Sequence, residues 1–290
     1  MTGTGSCMLR IREALHALTP KERHLATYLL DNADQVVNMS LDELSVASET
    51  SISTIVRLCK TLGYSGFKEL CRSLYSDITS PTAEGDFEDI TPGDEPEAVM
   101  TNICQCNIRA IENTLAILDK AALRQAVERL CEASRIDFYG LGSSGLVAQD
   151  ACSKFIRCGK RVCSYTDAHS QMLSAVTLKE GDVAVLISYS GETTDILNLA
   201  RQIRTSGATI ITLTRYGKNT LSELANIRLC SSSTETLFRI GPMSSRIAQL
   251  TVVDILYAAV CSRSFDEVKR YLELSRTASI RMHQNQTESR

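Results

Sequence analysis

Residues 182–194 read Asp182-Val-Ala-Val-Leu-Ile-Ser188-Tyr189-Ser190-Gly191-Glu192-Thr193-Thr194. The apolar, β-branched run before Ser188 suits a strand buried on both faces. It ends in a turn of hydroxyl residues around Gly191, and an amphipathic helix follows from Asp195 to Arg204. Strand, hydroxyl turn and helix start together form an anion cradle. Ser188, Ser190 and Thr193 can donate to phosphate oxygens, Gly191 permits the tight turn, and the helix N-terminus offers free N–H groups.

Upstream, Arg135 to Gly140 reads as another short strand, followed by Leu141-Gly142-Ser143-Ser144-Gly145 and a helix from Leu146 to about Cys158. The glycines let the backbone approach an anion closely. The third glycine is misplaced for a dinucleotide fingerprint, and no acidic residue closes a second strand. No Gly-Lys-Ser/Thr of a P-loop is present. Further strands are expected at Arg161–Tyr165, Thr209–Thr214 and Ile227–Cys230. The expected fold is an α/β domain with a five-stranded parallel sheet flanked by helices, flavodoxin-like in type. One Ser/Gly turn alone need do no more than cap a helix. Two in register, each after an apolar strand, favour a ligand crevice.

Residues from Met8 to Tyr75 read as helical throughout, an all-α N-terminal domain. Thr19-Pro20-Lys21-Glu22 carries the N-cap, first-turn proline and capping-box glutamate of a helix. Ser40 caps a short helix with Leu41, Leu44 and Ala47 on its apolar side. Ser48-Glu49-Thr50 breaks the chain, and Ser51 caps a second helix that Gly63 ends. This is helix-turn-helix spacing. The second helix opens with small hydroxyl residues, so its N-terminal end fits a major groove. Ser51, Ser53 and Thr54 are candidate contacts to phosphates or base edges, Arg57 and Lys60 add positive charge, and Ile55, Leu58 and Leu62 face the core. Glu49 stands where many such motifs carry a turn glycine. The same spacing also fits a plain helical bundle that serves association only.

The length of 290 residues suits two cores. The expected domains are 1–79 for DNA binding, 80–97 as an acidic linker and 98–290 for ligand binding. Net charge is −3, and Met8 to Tyr75 balances eight basic against eight acidic residues, so DNA binding rests on geometry and not on charge. Eleven cysteines, an odd number at scattered spacings, argue against a disulfide framework and for a reducing, cytoplasmic setting. No zinc-type spacing occurs, and no metal or cofactor is expected. The N-terminus lacks the pattern of a secretory signal, and no apolar run approaches the ~18 residues of a membrane helix.

Two resemblances join these readings. Leu18-Thr19-x-x-Glu22, Met39-Ser40, Ser51-x-x-Thr54-Ile55-Val56-Arg57 and Leu62-Gly63-Tyr64-x-Gly66-Phe67 resemble the N-terminal domain of the RpiR family of bacterial regulators. That resemblance implies a winged-type helix-turn-helix on operator DNA. Gly140-x-Gly142-Ser143-Ser144, Ser188-x-Ser190-Gly191-Glu192-Thr193 and Ser245-Arg246-Ile-Ala-Gln-Leu-x-x-x-Asp254 resemble a sugar isomerase (SIS) domain. It implies that Ser143, Ser144, Ser188, Ser190 and Thr193 hold a phosphorylated sugar or amino sugar, with Gly142 and Gly191 shaping the turns. The expected protein is an effector-controlled regulator, a homodimer or homotetramer, and not an enzyme. The alternative is an aldose–ketose isomerase, whose base would have to be Glu192 or Glu235 with His169 as acid partner. A helix-turn-helix has no use in such an enzyme. Glu235 and Arg239 otherwise read as surface charges.

Overall fold

In a computed structural model, residues 7–79, 93–232, 242–271, 273–274 and 276–277 are described. Most of the acidic stretch, together with Glu235 and Arg239, lies outside them. The chain divides into two compact units. One comprises Met1–Leu118, Arg215–Asn219 and Cys230–Ser245; the other comprises Asp119–Thr214, Thr220–Leu229 and Arg246–Arg290.

The first unit opens with α1 (Cys7–Ala14), α2 (Pro20–Asp31), α3 (Ala33–Val36), α4 (Leu41–Ala47), α5 (Ile52–Thr61) and α6 (Phe67–Thr79). Helix α2 starts where Thr19 and Glu22 close a capping box, and α4 starts on a second one built from Ser40 and Glu43. Leu25, Leu29, Leu44, Ile55, Leu58, Leu62, Leu70 and Leu74 form one buried cluster. Gly63, at φ +83°, ends α5 in the left-handed conformation that suits glycine, and Tyr64 N–H closes back on Cys59 O at 2.8 Å. The chain then turns directly into α6. Among the described residues of this region there is no strand, so the wing implied by the resemblance is replaced by a helix. Tyr64 explains why: it is buried, and its hydroxyl donates to Ser73 on α6. Helix α7 (Pro96–Ile117) begins inside the expected linker, on Glu95 as N-cap.

The chain continues with α8 (Lys120–Glu132), β1 (Ile136–Tyr139), α9 (Gly142–Phe155), β2 (Val162–Ser164), α10 (Ala168–Ala175), β3 (Val183–Ile187), α11 (Thr194–Arg204), β4 (Thr209–Arg215), α12 (Thr220–Glu223), β5 (Ile227–Ser231) and α13 (Ser244–Arg263). The five strands form one sheet in the order β2-β1-β3-β4-β5. Strand β1 runs parallel to both β2 and β3, and β3 runs parallel to β4. Strand β3 is buried along its whole length, as an apolar run flanked by two parallel neighbours demands. One boundary differs from the expectation: α9 begins at Gly142, so Gly142, Ser143 and Ser144 form its first turn and do not precede it.

Helix α13 is the one helix among the described residues long and apolar enough, by length and composition, to cross a bilayer. It carries Arg246, Gln249 and Asp254, and it buries Ala248, Val252, Val253, Leu256 and Val260. That is the pattern of a core helix.

Candidate functional site

Strands β1 and β3 are hydrogen-bonded neighbours, with Tyr139 opposite Leu186. The chain order reverses here, because β1 sends its connections to β2 on one side while β3 and β4 extend the other. Such a switch point leaves a crevice beyond the carboxyl ends of the strands. Both hydroxyl turns open there, one after Tyr139 and one after Ile187.

The first turn is sterically committed. A Cβ on Gly140 would lie 2.6 Å from Ser144 O, so only glycine fits beneath the first turn of α9. Gly142 has φ +56°. Gly140 O accepts from Gln171 Nε2 at 2.8 Å, and the same amide donates to Tyr165 O at 2.7 Å. The buried Gln171 therefore ties the ends of β1 and β2 together. Gln249 of α13 donates to Ser144 Oγ at 3.4 Å. Ser143 Oγ is buried yet has no hydrogen-bond partner among the described residues. A hydroxyl in that state costs free energy unless something binds it.

The second turn is held from within. Ser188, 4% exposed, shares a hydrogen bond with Thr193 Oγ1 at 3.2 Å. Ser190 is exposed, and its Oγ accepts from Glu192 N–H. Thr193 occupies the N-cap of α11, but its side chain does not cap the helix. The Glu192 carboxylate accepts from Thr220 N–H at 2.8 Å, anchoring the turn to α12. His169 is exposed in the first turn of α10.

Beside β1 lies a network with no counterpart in the sequence reading. The fully buried Asp137 takes two bonds from Arg135, each 2.7 Å, and one from Tyr139 Oη at 2.8 Å. Ser174 donates to the same carboxylate. Burial first, then the Asp137 charge, pushes the Tyr139 hydroxyl well above its ordinary range, so it remains a donor. Gln171 was likewise unmarked by its surroundings in the sequence, and Gln249 entered only as a letter of a motif. An isolated polar residue inside a helical run gives no sign of where its amide points.

In the first unit, α4 and α5 are joined by Ser48-Glu49-Thr50. Ser48 Oγ bonds Leu44 O and Thr50 Oγ1, and Ser45 Oγ donates to Thr50 O. Glu49 has φ +50°, the one non-glycine residue with positive φ among those described. Ser51 and Ser53 are exposed at the start of α5, whereas Thr54 is buried and bonds Ser51 Oγ at 2.9 Å. Lys60 is exposed. Arg57 is exposed too, but its Nε donates to Glu22. Val46 and Ile52 are exposed apolar side chains flanking the turn, and the sequence reading gave neither a role.

A helix-turn-helix unit joined to an α/β unit of this topology defines a regulator built on a SIS-type domain. The rpiR-family helix-turn-helix domain matches residues 6–81, and the SIS domain matches residues 129–259. An HTH-type transcriptional regulator of Caldanaerobacter subterraneus subsp. tengcongensis is 44% identical over 91% of this chain and 93% of its own length. YbbH of Bacillus subtilis, another HTH-type transcriptional regulator, is 33% identical over 92% of this chain and 95% of its own. The solved structure of Vibrio vulnificus NanR complexed with ManNAc-6P matches with a TM-score of 0.61 at 25% identity, covering 96% of this chain and 99% of that one. The chain belongs to the RpiR family of HTH-type transcriptional regulators.

Proposed function

We propose that this regulator's hold on operator DNA is set by a phosphorylated sugar or amino sugar bound beyond β1 and β3. The observation that carries this reading is the buried Ser143 Oγ, without a partner among the described residues, in the first turn of α9 at the switch point of the sheet. A phosphate there receives that hydroxyl and the free N–H groups of the helix start. Gly142 and Ser144 complete the first turn. Ser190, Gly191 and Thr193 supply the second, with Ser188 bracing Thr193 from beneath. The NanR complex with ManNAc-6P supports the ligand class.

Residues 1–79 act as the DNA-binding domain, 80–97 as the linker and 98–290 as the effector domain. Ser51, Ser53, Arg57 and Lys60 face the DNA, and Thr54 sets the helix start that presents them. Paired half-sites call for a homodimer or homotetramer acting on DNA in the cytoplasm. The effector acts by binding the DNA-free and DNA-bound states with different affinity.

The domain binds and does not catalyse. Relatives that share the whole architecture are named regulators, and Glu192, the candidate base of an isomerase, has one carboxylate oxygen held by Thr220 N–H. The test is a gel shift of the DNA upstream of the chain's own gene, with and without a panel of sugar and amino-sugar phosphates that includes ManNAc-6P. A shift that one of them changes supports the proposal. Turnover of a sugar phosphate without DNA binding overturns it.

A further inference from the structure

We propose that Cys158 and Cys261 are an oxidation site that a hydroperoxide closes to a reversible disulfide. Cys158 ends the short 3-10 turn Ile156–Cys158 that follows α9, and Cys261 lies in the last turn of α13. Their sulfurs are 3.3 Å apart. A disulfide needs about 2.0 Å, so the two sulfurs must approach by a further ~1.3 Å. Cys158 is 3% exposed and Cys261 is half-buried, which gives the oxidant one point of entry. The Lys160 charge lies close to the Cys158 sulfur. Burial nevertheless pushes the Cys158 thiol up to about 12. Cys261, the more accessible of the two sulfurs, meets the oxidant first.

The chemistry balances with a hydroperoxide as the only co-reactant. The Cys261 sulfur attacks one peroxide oxygen, the O–O bond breaks, and the departing oxygen leaves as water with the thiol proton. Cys261 then carries a sulfenic acid. The Cys158 sulfur attacks it, the S–O bond breaks, and a second water leaves with the Cys158 proton. Two electrons pass from the thiols to the peroxide, and two thiols plus hydrogen peroxide become one disulfide plus two waters.

The consequence follows from the helix pair. Contacts between α9 and α13 run in the same order along both, from Ser144 with Gln249, through Lys154 with Asp254, to Cys158 with Cys261. The helices are thus parallel neighbours. The disulfide staples their far ends, opposite the first turn of α9. This inference stands on the thiol geometry alone and does not require any effector.

The full-length protein, reduced and then exposed to hydrogen peroxide, is alkylated, digested without reductant and mapped by mass spectrometry. The expected result is a Cys158–Cys261 linked peptide that dithiothreitol cleaves. It is accompanied by a rise in melting temperature that dithiothreitol reverses and that Cys261→Ser lacks. Recovery of both residues as free thiols while the exposed Cys104 is oxidised overturns the proposal. A rise in melting temperature that persists in Cys261→Ser overturns it equally.

Discussion

Arg57 on α5 donates its Nε hydrogen to Glu22 on α2 at 2.8 Å. The Glu22 side chain is 7% exposed and the Arg57 side chain 59%. One end of the ion pair is therefore embedded in the helical core, and the other projects beside the face expected to meet DNA. Glu22 also closes the capping box with Thr19. A single carboxylate fixes both the start of α2 and the pose of a basic side chain on α5.

Burial pushes the Glu22 carboxyl up, but bonds from Thr19 and Arg57 outweigh it and hold the group below its ordinary value of 4.5. A carboxyl lowered on folding stabilises the fold above that value, and the contribution is lost as pH falls through the folded pKa. Glu22→Gln should therefore cost about 1–2 kcal/mol at neutral pH. In urea melts, the gap between variant and parent should shrink as pH falls below that ordinary value and the parent's own Glu22 takes up a proton. A gap independent of pH would show that the charge of Glu22 contributes nothing.

Glu49 occupies a left-handed conformation at φ +50°, which disfavours any side chain. Glu49→Gly should stabilise the protein by about 1 kcal/mol, because the strain of a Cβ there exceeds the entropy that glycine adds to the unfolded chain. Operator affinity should be unchanged. Glu49→Val should destabilise, since β-branching worsens the same strain. Thermal melts of the two variants check the ordering.

Lys60 is exposed one helical turn beyond Arg57 on the same helix. Lys60→Ala should weaken binding to operator and to random duplex alike, and it should reduce the slope of log affinity against log salt by about 1. Ser53→Ala, at the helix start, should weaken the operator more than random DNA. Anisotropy titrations at several salt concentrations separate the two behaviours.

Ser143→Ala removes a buried hydroxyl that has no partner among the described residues. Stability without ligand should stay the same or rise slightly, whereas effector affinity should fall about tenfold or more, the worth of a hydrogen bond to a charged group. Gly140→Ala should behave differently. Its new Cβ would lie 2.6 Å from Ser144 O, so the first turn of α9 must move, and stability and effector binding should fall together. Calorimetric titration beside thermal melts reads both quantities.

The strands were legible because they are short apolar runs bounded by glycine and hydroxyl residues: all five occur within about two residues of where the pattern places them. The α4–α5 pair was legible through Ser40, Ser51 and Gly63, which carry local capping chemistry. What stayed hidden depends on contacts distant in the chain. Nothing near Arg57 points to Glu22, thirty-five residues away. Around Asp137, Arg135 and Tyr139 are near in sequence, but Ser174, which also donates to the carboxylate, lies thirty-seven residues on. The start of α9 was placed too late because glycine and serine score poorly inside helices, whereas here they form the first turn, where a helix N-terminus needs close approach and donors. Thr54 was read with its serine neighbours as groove-facing, yet the helical period carries it inward.

The measurement that bears most directly on the account is an anisotropy titration of labelled operator with the parent protein and with Ser190→Ala, each with and without the sugar phosphate that shifts the parent. Ser190 is exposed on the second turn and takes no part in the core. The expected result is equal operator affinity for both proteins without effector, and a response to effector in the parent alone. An undiminished response in Ser190→Ala would place the effector away from the β1 and β3 turns and contradict the account.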